Sequence, residues 1–424
     1  MARKKQQLAQ TLPLVAIDLG SHSVRAMAAT RVDNDLLHIL GFEQSTKFQG
    51  VERGVVAHSA NVGFMIGEVL RLLANRLGFT DLPTAFVLTG GKTMQIAKVG
   101  SKRDQGRKRE ISSQLLEEME EECKRKIEAH NKGVAVLGLV PVYFTLDGVE
   151  QDEVPTAGQR AERIEAQYVA FVAKADIEQQ MQKAFDQAGK SIESTFVRPE
   201  ALLSAFAAED GPEIYRDGCA VLDMGAQTTT LSIYKGTQYL YNKVIPQGGY
   251  HITRVLEQQG ISFALAEQLK CNYGYASAAQ VEKNLRMKLP VAGAEGEILV
   301  VTSEDVAYTI SLKLEEIINP LIDELNKYAD RIKTLYLTGG AAMLAGLQDF
   351  IQQKTSLKVL YGAHDRLLDK TSDPRYYEPT YSALVGALIM GSDYRDEHKN
   401  QLVKNPSIFE KIKLQTEIVF TPQE

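Results

Sequence analysis

The 424-residue chain predicts an α/β protein of two or more domains that contains an internal duplication, and three observations carry that reading. Apolar runs of strand length alternate with stretches of helical periodicity, the pattern of layered sheets and helices. The chain is long for a single core, and its 44% hydrophobic and 24% charged residues are those of an ordinary soluble globular protein. The third is a repeat: "VAIDLGSHS" (15–23) returns 205 residues later as "VLDMGAQTT" (221–229), setting Asp223 on Asp18, Gly225 on Gly20 and Thr228 on Ser23.

In order along the chain, β-rich apolar runs predict strands at Leu14–Asp18, Ser23–Thr30 and Ala85–Thr89, with a periodic helix at Ala60–Leu77 between them. Ser113–His130, "SQLLEEMEEECKRKIEAH", is laced with charge and reads as a solvated surface helix. A strand at Gln167–Val172 and a helix at Ala175–Ala188 follow, then strands at Ala220–Asp223 and Thr229–Tyr234. Helices at Ala264–Cys271 and Ser303–Ile332 lead to a strand at Thr334–Thr338. The basic run Lys102–Arg109 reads as a hairpin tip in preference to a nucleic-acid patch. From about Asp393 the chain turns polar and linker-like, ahead of a mixed segment, "SIFEKIKLQTEIVF".

Bulk properties narrow the function. A net charge of −6 argues against binding driven by phosphate neutralisation of nucleic acid. No uncharged apolar run reaches the length of a membrane span. The amino-terminal "MARKKQQLAQ" is basic with no apolar stretch behind it, so it reads as a tail and not a signal peptide. Cys123, Cys219 and Cys271 are isolated, which fits a reducing compartment, and the seven histidines form no zinc-like cluster. A cytosolic protein is expected.

The repeated turn has the form Asp-x-Gly-x-x-[Ser/Thr]. Glycine there lets backbone amides approach an anion, and the hydroxyls of Ser21, Ser23, Thr228 and Thr229 add donors for phosphate oxygens. Asp18 and Asp223, facing each other over a shared anion, would repel unless a cation sat between them, and a hydrated Mg²⁺ bridging nucleotide phosphates is the expected one. The plainer alternative is two unrelated tight turns with Asp as turn former. "TLYLTGGAAMLAGL" (334–347) runs from a buried strand into Gly339-Gly340, a pair that would let backbone pack on a nucleoside, although a simple strand–helix connection has the same look. Glu267 and Lys270, an i, i+3 pair in "ALAEQLKCNYG", would reach a ribose or purine, or form a surface salt bridge. No Gly-rich loop ends in Lys-Ser/Thr, which excludes a P-loop nucleotide hydrolase.

Two phosphate hairpins followed by a strand–GG–helix loop resemble the actin-like ATPase superfamily. Within it the chain resembles the FtsA family of bacterial cell-division proteins, through "LVPVYFTLDG" (139–148), "YNKVIPQGGYHIT" (241–253), "AEQLKCNYG" (266–274) and "EPTYSALVGALIMG" (378–391), in that order. The resemblance implies an actin-like two-lobed fold of duplicated ribonuclease-H-like domains with an FtsA-type inserted subdomain. The tail would be 1–13, the first-lobe core 14–82 with 174–200 and 378–394, and the insert 83–173. The second-lobe core would be 201–245 and 330–377, its outer subdomain 246–329, and the linker with a membrane-targeting helix 395–424. It further implies ATP and Mg²⁺ as ligands, self-assembly into filaments, and attachment of the tubulin-like FtsZ through its carboxyl-terminal peptide. FtsZ would dock on the outer subdomain, where Lys283, Arg286 and Lys288 offer positive charge, with divisome membrane proteins as further partners. The place implied is the inner face of the cell membrane at the division site. In the carboxyl-terminal segment Ile408, Phe409, Ile412, Val419 and Phe420 would form an apolar membrane-facing stripe, against a partner-binding or simply ordered tail as the alternative.

The chain departs from the family pattern in ways that bear on activity. Ala226, Gln227 and Thr230 replace a glycine-rich second turn and a later Asp, Leu321 replaces an Arg, and Arg198-Pro199 stands where relatives often have Glu-Pro. Glu200, displaced past the proline, is the remaining candidate for a water-orienting acid, so ATP binding with slow or undetectable hydrolysis is expected. Two other functions share the scaffold: a PilM-type pilus-assembly protein, and a sugar kinase or exopolyphosphatase.

Overall fold

In the computed structural model the described residues are 13–32, 36–45, 50–151, 155, 158–210, 212–235 and 238–404. β1 (Leu14–Leu19) turns through Gly20–Ser23 into antiparallel β2 (Val24–Arg31), and β3 (Leu37–Gln44) lies outside β2. A two-residue-stranded hairpin, β4 (Val51–Glu52) with β5 (Val55–Val56), leads into α1 (Ser59–Leu77), which ends on Gly78 in the left-handed conformation at φ 75°. β6 (Thr84–Thr89) then pairs parallel with β1. Alternate residues of β1 enter different cores: Val15 and Ile17 pack with Ile66, Leu70 and Leu73 of α1, while Leu14 and Ala16 face the other way. A strand buried on both faces reads as an unbroken apolar run, which is why Asp18 at its end is conspicuous.

An insertion follows: β7 (Gln95–Glu110), α2 (Ser113–His130), β8 (Val134–Leu146), β9 (Val149–Gln151) and β10 (Arg160–Lys174). Its strands form a separate sheet in the order β7-β10-β8-β9. Met119 and Cys123 of α2 pack against Phe144, Ala166 and Tyr168 on one face of that sheet. The other face joins the main body, where the rings of Phe171 and Tyr239 meet at 4.9 Å. Because β6 pairs with β1 in the first-lobe sheet, the insertion starts after it and not at residue 83. The basic run 102–109 is partly a correction: Lys102, Arg103 and Asp104 pair with Glu165, Ile164 and Arg163 of β10, and Arg109 pairs with Ala161, while 105–108 bulge out of the ladder around Gly106 at φ 67°. Charged side chains suit it, since β7 is an edge strand whose free side must resist further pairing.

After α3 (Asp176–Gln187), β11 (Ser191–Val197) pairs parallel with β6, completing the order β11-β6-β1-β2-β3. α4 (Arg198–Asp210) and α5 (Pro212–Asp217) connect to a second unit. There β12 (Cys219–Met224), β13 (Thr229–Lys235) and β14 (Gln238–Ile245) form the same meander. α6 (Gly249–Glu257), α7 (Phe263–Tyr273), the hairpin β15 (Arg286–Pro290) with β16 (Ile298–Thr302), and α8 (Ser303–Asn326) make an outer layer. β17 (Thr334–Thr338) returns parallel beside β12, and after α9 (Leu347–Gln352), β18 (Lys358–Tyr361) pairs with β17. The order β14-β13-β12-β17-β18 is that of the first sheet strand for strand, so the duplication read from two short turns extends to both lobes.

α10 (Ser382–Lys404) closes the fold. Ala201, Leu202, Ala205 and Phe206 of α4, with Ala383, Leu384, Ala387 and Leu388 of α10, share one core with Ala16 of the first sheet and Val221 of the second. The two helices meet closely: a Cβ on Gly386 would stand 1.8 Å from the Ala201 carbonyl oxygen. The helical backbone continues to Lys404, beyond the point near Asp393 where composition suggested a linker. The proposed membrane residues Ile408, Phe409, Ile412, Val419 and Phe420 lie outside the described residues. Among the described residues no helix is long and apolar enough to cross a membrane.

Candidate functional site

Both Asp-x-Gly turns open into a single cleft of about 870 Å³ between the lobes. Asp18, Gly20, Ser21 and Ser23 line it from the first, and Asp223, Gly225 and Thr228 from the second. Each glycine sits tightly within its own turn, a Cβ on Gly20 standing 3.0 Å from the Ser23 carbonyl oxygen and one on Gly225 3.2 Å from that of Thr228. The amino end of α6 then seals the second turn. Gly249 and Tyr250 donate backbone N–H bonds to the carbonyls of Gly225 (3.0 Å) and Ala226 (2.7 Å), and Gly248 leaves no room for a Cβ, which would lie 2.3 Å from the Gly225 oxygen. Thr229 is placed otherwise than expected: it is fully buried and its hydroxyl donates to the Gln247 carbonyl at 2.9 Å, outside the cleft lining.

The far side of the cleft is formed by α7 and the loop after β17. Glu267 and Lys270 line it, Lys270 Nζ lying 2.7 Å from Glu267 Oε2 and 2.9 Å from the Thr253 hydroxyl. The pair therefore ties α7 to α6. Burial alone would raise the Glu267 carboxyl, but hydrogen bonds from Lys270 and Thr253 bring it below the ordinary range. Gly340 lines the cleft; Gly339 sits behind it at φ 90°, where a Cβ would stand 2.5 Å from Asp223 Oδ1. Tyr250, Phe263, Tyr275, Met343 and Leu344 add an apolar wall.

The floor of the cleft holds a feature that sequence reasoning missed. Asp18 and Asp223 are almost wholly buried, at 3% and 6% exposure, and one guanidinium joins them. Arg198, the first residue of α4, donates from Nη1 to Asp18 Oδ1 at 2.8 Å and from Nε to Asp223 Oδ2. Arg25 on β2 takes the other Asp18 oxygen, Oδ2, and anchors itself on Thr380. Burial pushes the Asp18 carboxyl up, yet Arg198 and Arg25 together hold it down at about 2. Burial works against the Arg198 charge, and Asp18 and Asp223 more than restore it, so Arg198 stays protonated. Asp223 Oδ1 has no hydrogen-bond partner among the described residues.

This arrangement corrects the expected metal site. Every ion-paired oxygen of the two carboxylates faces a guanidinium, and a divalent cation held between them would share that space with Arg198. Like charges about 4 Å apart repel by roughly 4 kcal/mol per unit pair in a partly screened site. The donor set does not fit a hydrated Mg²⁺ bridged by Asp18 and Asp223. Glu200 is not in position for the expected catalytic role: it does not line the cleft, whereas Arg198, two residues earlier, does. Burial pushes the Glu200 carboxyl up to about 7.

The tip of the β4–β5 hairpin clasps both turns. Arg53, at φ 51°, and Gly54 form the tip of the β4–β5 hairpin. The Gly54 N–H donates to the Ser21 hydroxyl on the first turn at 2.9 Å, and the Arg53 N–H to Gln227 Oε1 on the second at 2.9 Å. The Gln227 departure thus has a structural use. Leu321 has another: it is fully buried in the core under α8, where a charged side chain would need a partner.

Residues 220–386 match the family described as cell division protein FtsA. The FtsA of Neisseria meningitidis serogroup B is 25% identical over 385 residues, covering 88% of each chain. That of Streptococcus pneumoniae is 24% identical over 346 residues, covering 81% of this chain and 74% of its own. Among solved structures, the PilM-PilN type IV pilus biogenesis complex superposes with a TM-score of 0.63 at 16% identity, covering 89% of this chain and 98% of the other. MreB5 of Spiroplasma citri bound to ADP superposes at 0.52 with 12% identity, over 92% and 99%. At those identities the structures show the fold, which is the actin-like one.

Proposed function

From a chain that resembles FtsA over most of its length and has the actin-like fold, we propose a nucleotide-binding cytoskeletal protein of bacterial cell division, which assembles with copies of itself and links FtsZ to the membrane's inner face. The observation that carries the nucleotide part is the convergence of both Asp-x-Gly turns on one cleft, joined through Arg198. The turns cradle the phosphates of ATP with backbone amides and the hydroxyls of Ser21, Ser23 and Thr228. Glu267, Lys270 and the Gly339-Gly340 loop bound the nucleoside. Hydrolysis is slow or absent, because the residue at the head of α4 that faces the phosphates is a guanidinium, which cannot take a proton from water. Nucleotide therefore serves as a structural ligand that fixes the lobes for assembly. Identical subunits joined head to tail form open filaments.

For FtsZ, support comes from the β15–β16 hairpin. Arg286 and Lys288 alternate along β15, and Lys288 pairs with Val300 on β16, so exposed Ile298 and Val300 share a face with exposed basic residues. Such a face suits an acidic peptide with an apolar anchor. The testing experiment is titration of the protein with ATP and, separately, with a carboxyl-terminal FtsZ peptide. Saturable binding of both is expected, with the double variant Ile298→Asp, Lys288→Glu losing the peptide at least about tenfold while keeping ATP. A PilM-type role is the second reading, sharing the same fold, and capture of a pilus-assembly peptide in place of the FtsZ one would select it.

A further inference from the structure

We propose that Arg198 is the built-in cation of the cleft, so that nucleotide is taken as the free polyphosphate, without a divalent metal. The inference rests on the nucleotide reading above and specifies the ligand's chemical form. Two carboxylates at the turns carry a charge of −2, which one divalent ion would balance. Here two guanidinium groups balance it: Arg198 spans Asp18 and Asp223, and Arg25 covers the remaining Asp18 oxygen. Both are covalently placed, Arg198 at the start of α4 directly after β11, and Arg25 on β2 opposite Asp18 in the ladder. The charge balance therefore needs no divalent ion, and Asp223 Oδ1 is the one oxygen of these carboxylates left without a partner among the described residues.

Arg198 also retains capacity for the ligand. Its Nε and Nη1 serve the two carboxylates, and Nη2 has no hydrogen-bond partner among the described residues. The side chain is 23% exposed and lines the cleft between the turns. An arginine in that position gives a phosphate oxygen a charge-assisted donor, the service a metal otherwise performs. No other acidic cluster takes over the metal: among the described residues no group of three or more His, Cys, Asp or Glu side chains is placed to hold one.

Two measurements on the full chain test this. ATP and ADP are titrated in EDTA and in excess Mg²⁺, with melting temperatures recorded in both buffers without nucleotide. The wild type should bind ATP in EDTA within about threefold of its affinity in Mg²⁺ and melt at the same temperature in each. Arg198→Gln should melt lower in EDTA and recover in Mg²⁺, because the freed carboxylates then accept the metal, and its ATP binding should become Mg²⁺-dependent. Arg198→Lys, which keeps the charge, should stay metal-independent. A wild type that binds ATP at least about tenfold more weakly in EDTA, or is stabilised by Mg²⁺ as much as Arg198→Gln is, overturns the proposal. Absence of nucleotide binding in either buffer defeats the nucleotide reading instead, and the melting comparison still decides whether Arg198 stands in for the metal.

Discussion

At the residue scale, the Asp18–Arg198–Asp223 bridge sets the behaviour of the site. Its carboxylates are almost wholly buried, and removing the guanidinium leaves Asp223 without an ion-pair partner and Asp18 with Arg25 alone. Arg198→Ala should lose about 3–5 kcal/mol of stability by urea denaturation. The acid response follows from Asp18, whose carboxyl is held at about 2 against an ordinary value of 3.8. A depressed carboxyl stabilises the fold above its unfolded value and ceases to as pH falls through the folded one. About 2 kcal/mol should therefore disappear between pH ~4 and ~2, and Asp18→Asn should flatten that part of the pH–stability curve. Glu200 has the opposite sign. Burial raises its carboxyl from 4.5 to about 7, so its neutral form suits the fold below pH ~4.5 and the advantage is lost as pH rises through about 7. Glu200→Gln should be more stable than wild type at pH ~8 by about 1–2 kcal/mol, allowing for its part-exposed position, and near neutral at pH ~4. None of the three ion-pair partners is near another in sequence, with Arg198 lying 180 residues from Asp18 and 25 from Asp223. That is why residue types flagged Asp18 and Asp223 while the residue between them passed as a departure from a family pattern.

At the element scale, legibility followed how local the determining forces are. β17 spans Thr334–Thr338 and α2 Ser113–His130, as their patterns predict, because a short buried apolar run and a Ser112-capped amphipathic stretch are specified by their own residues. β7 was not legible. "KRDQGRKR" has no apolar alternation, and its two ends are held as strand by pairing with β10 on either side of a bulge at 105–108. The β15–β16 hairpin is also long-range in origin, packed by Leu289 and Val301 onto the core under α8. Two glycines mark close contacts between elements, one at the cleft and one away from it. Gly339→Ala places a Cβ on Asp223 Oδ1 at a positive φ and should cost about 2–3 kcal/mol while weakening ATP binding. Gly386→Ala forces α10 off α4 and should cost at least about 3 kcal/mol without any contact to the cleft. Chemical denaturation paired with ATP titration separates the two effects.

At the scale of the whole molecule, the sequence repeat covers only two turns, while the structure repeats two five-stranded sheets in the same order. Most of the duplication has no trace in residue identity because a strand position demands only an apolar side chain of suitable size. What cannot drift is the backbone turn at the cleft, and there Gly20 and Gly225 still correspond. Each lobe supplies half of the site, and α4, α10, Arg198 and the Arg53–Gly54 clasp hold the halves together. Hydrogen exchange followed by mass spectrometry, with and without ATP, tests that joint site most directly. Added ATP should slow exchange together in residues 19–23 and 225–229, which come from opposite lobes. Protection of one turn alone, or of neither while ATP is bound elsewhere, would contradict a single nucleotide site built from both.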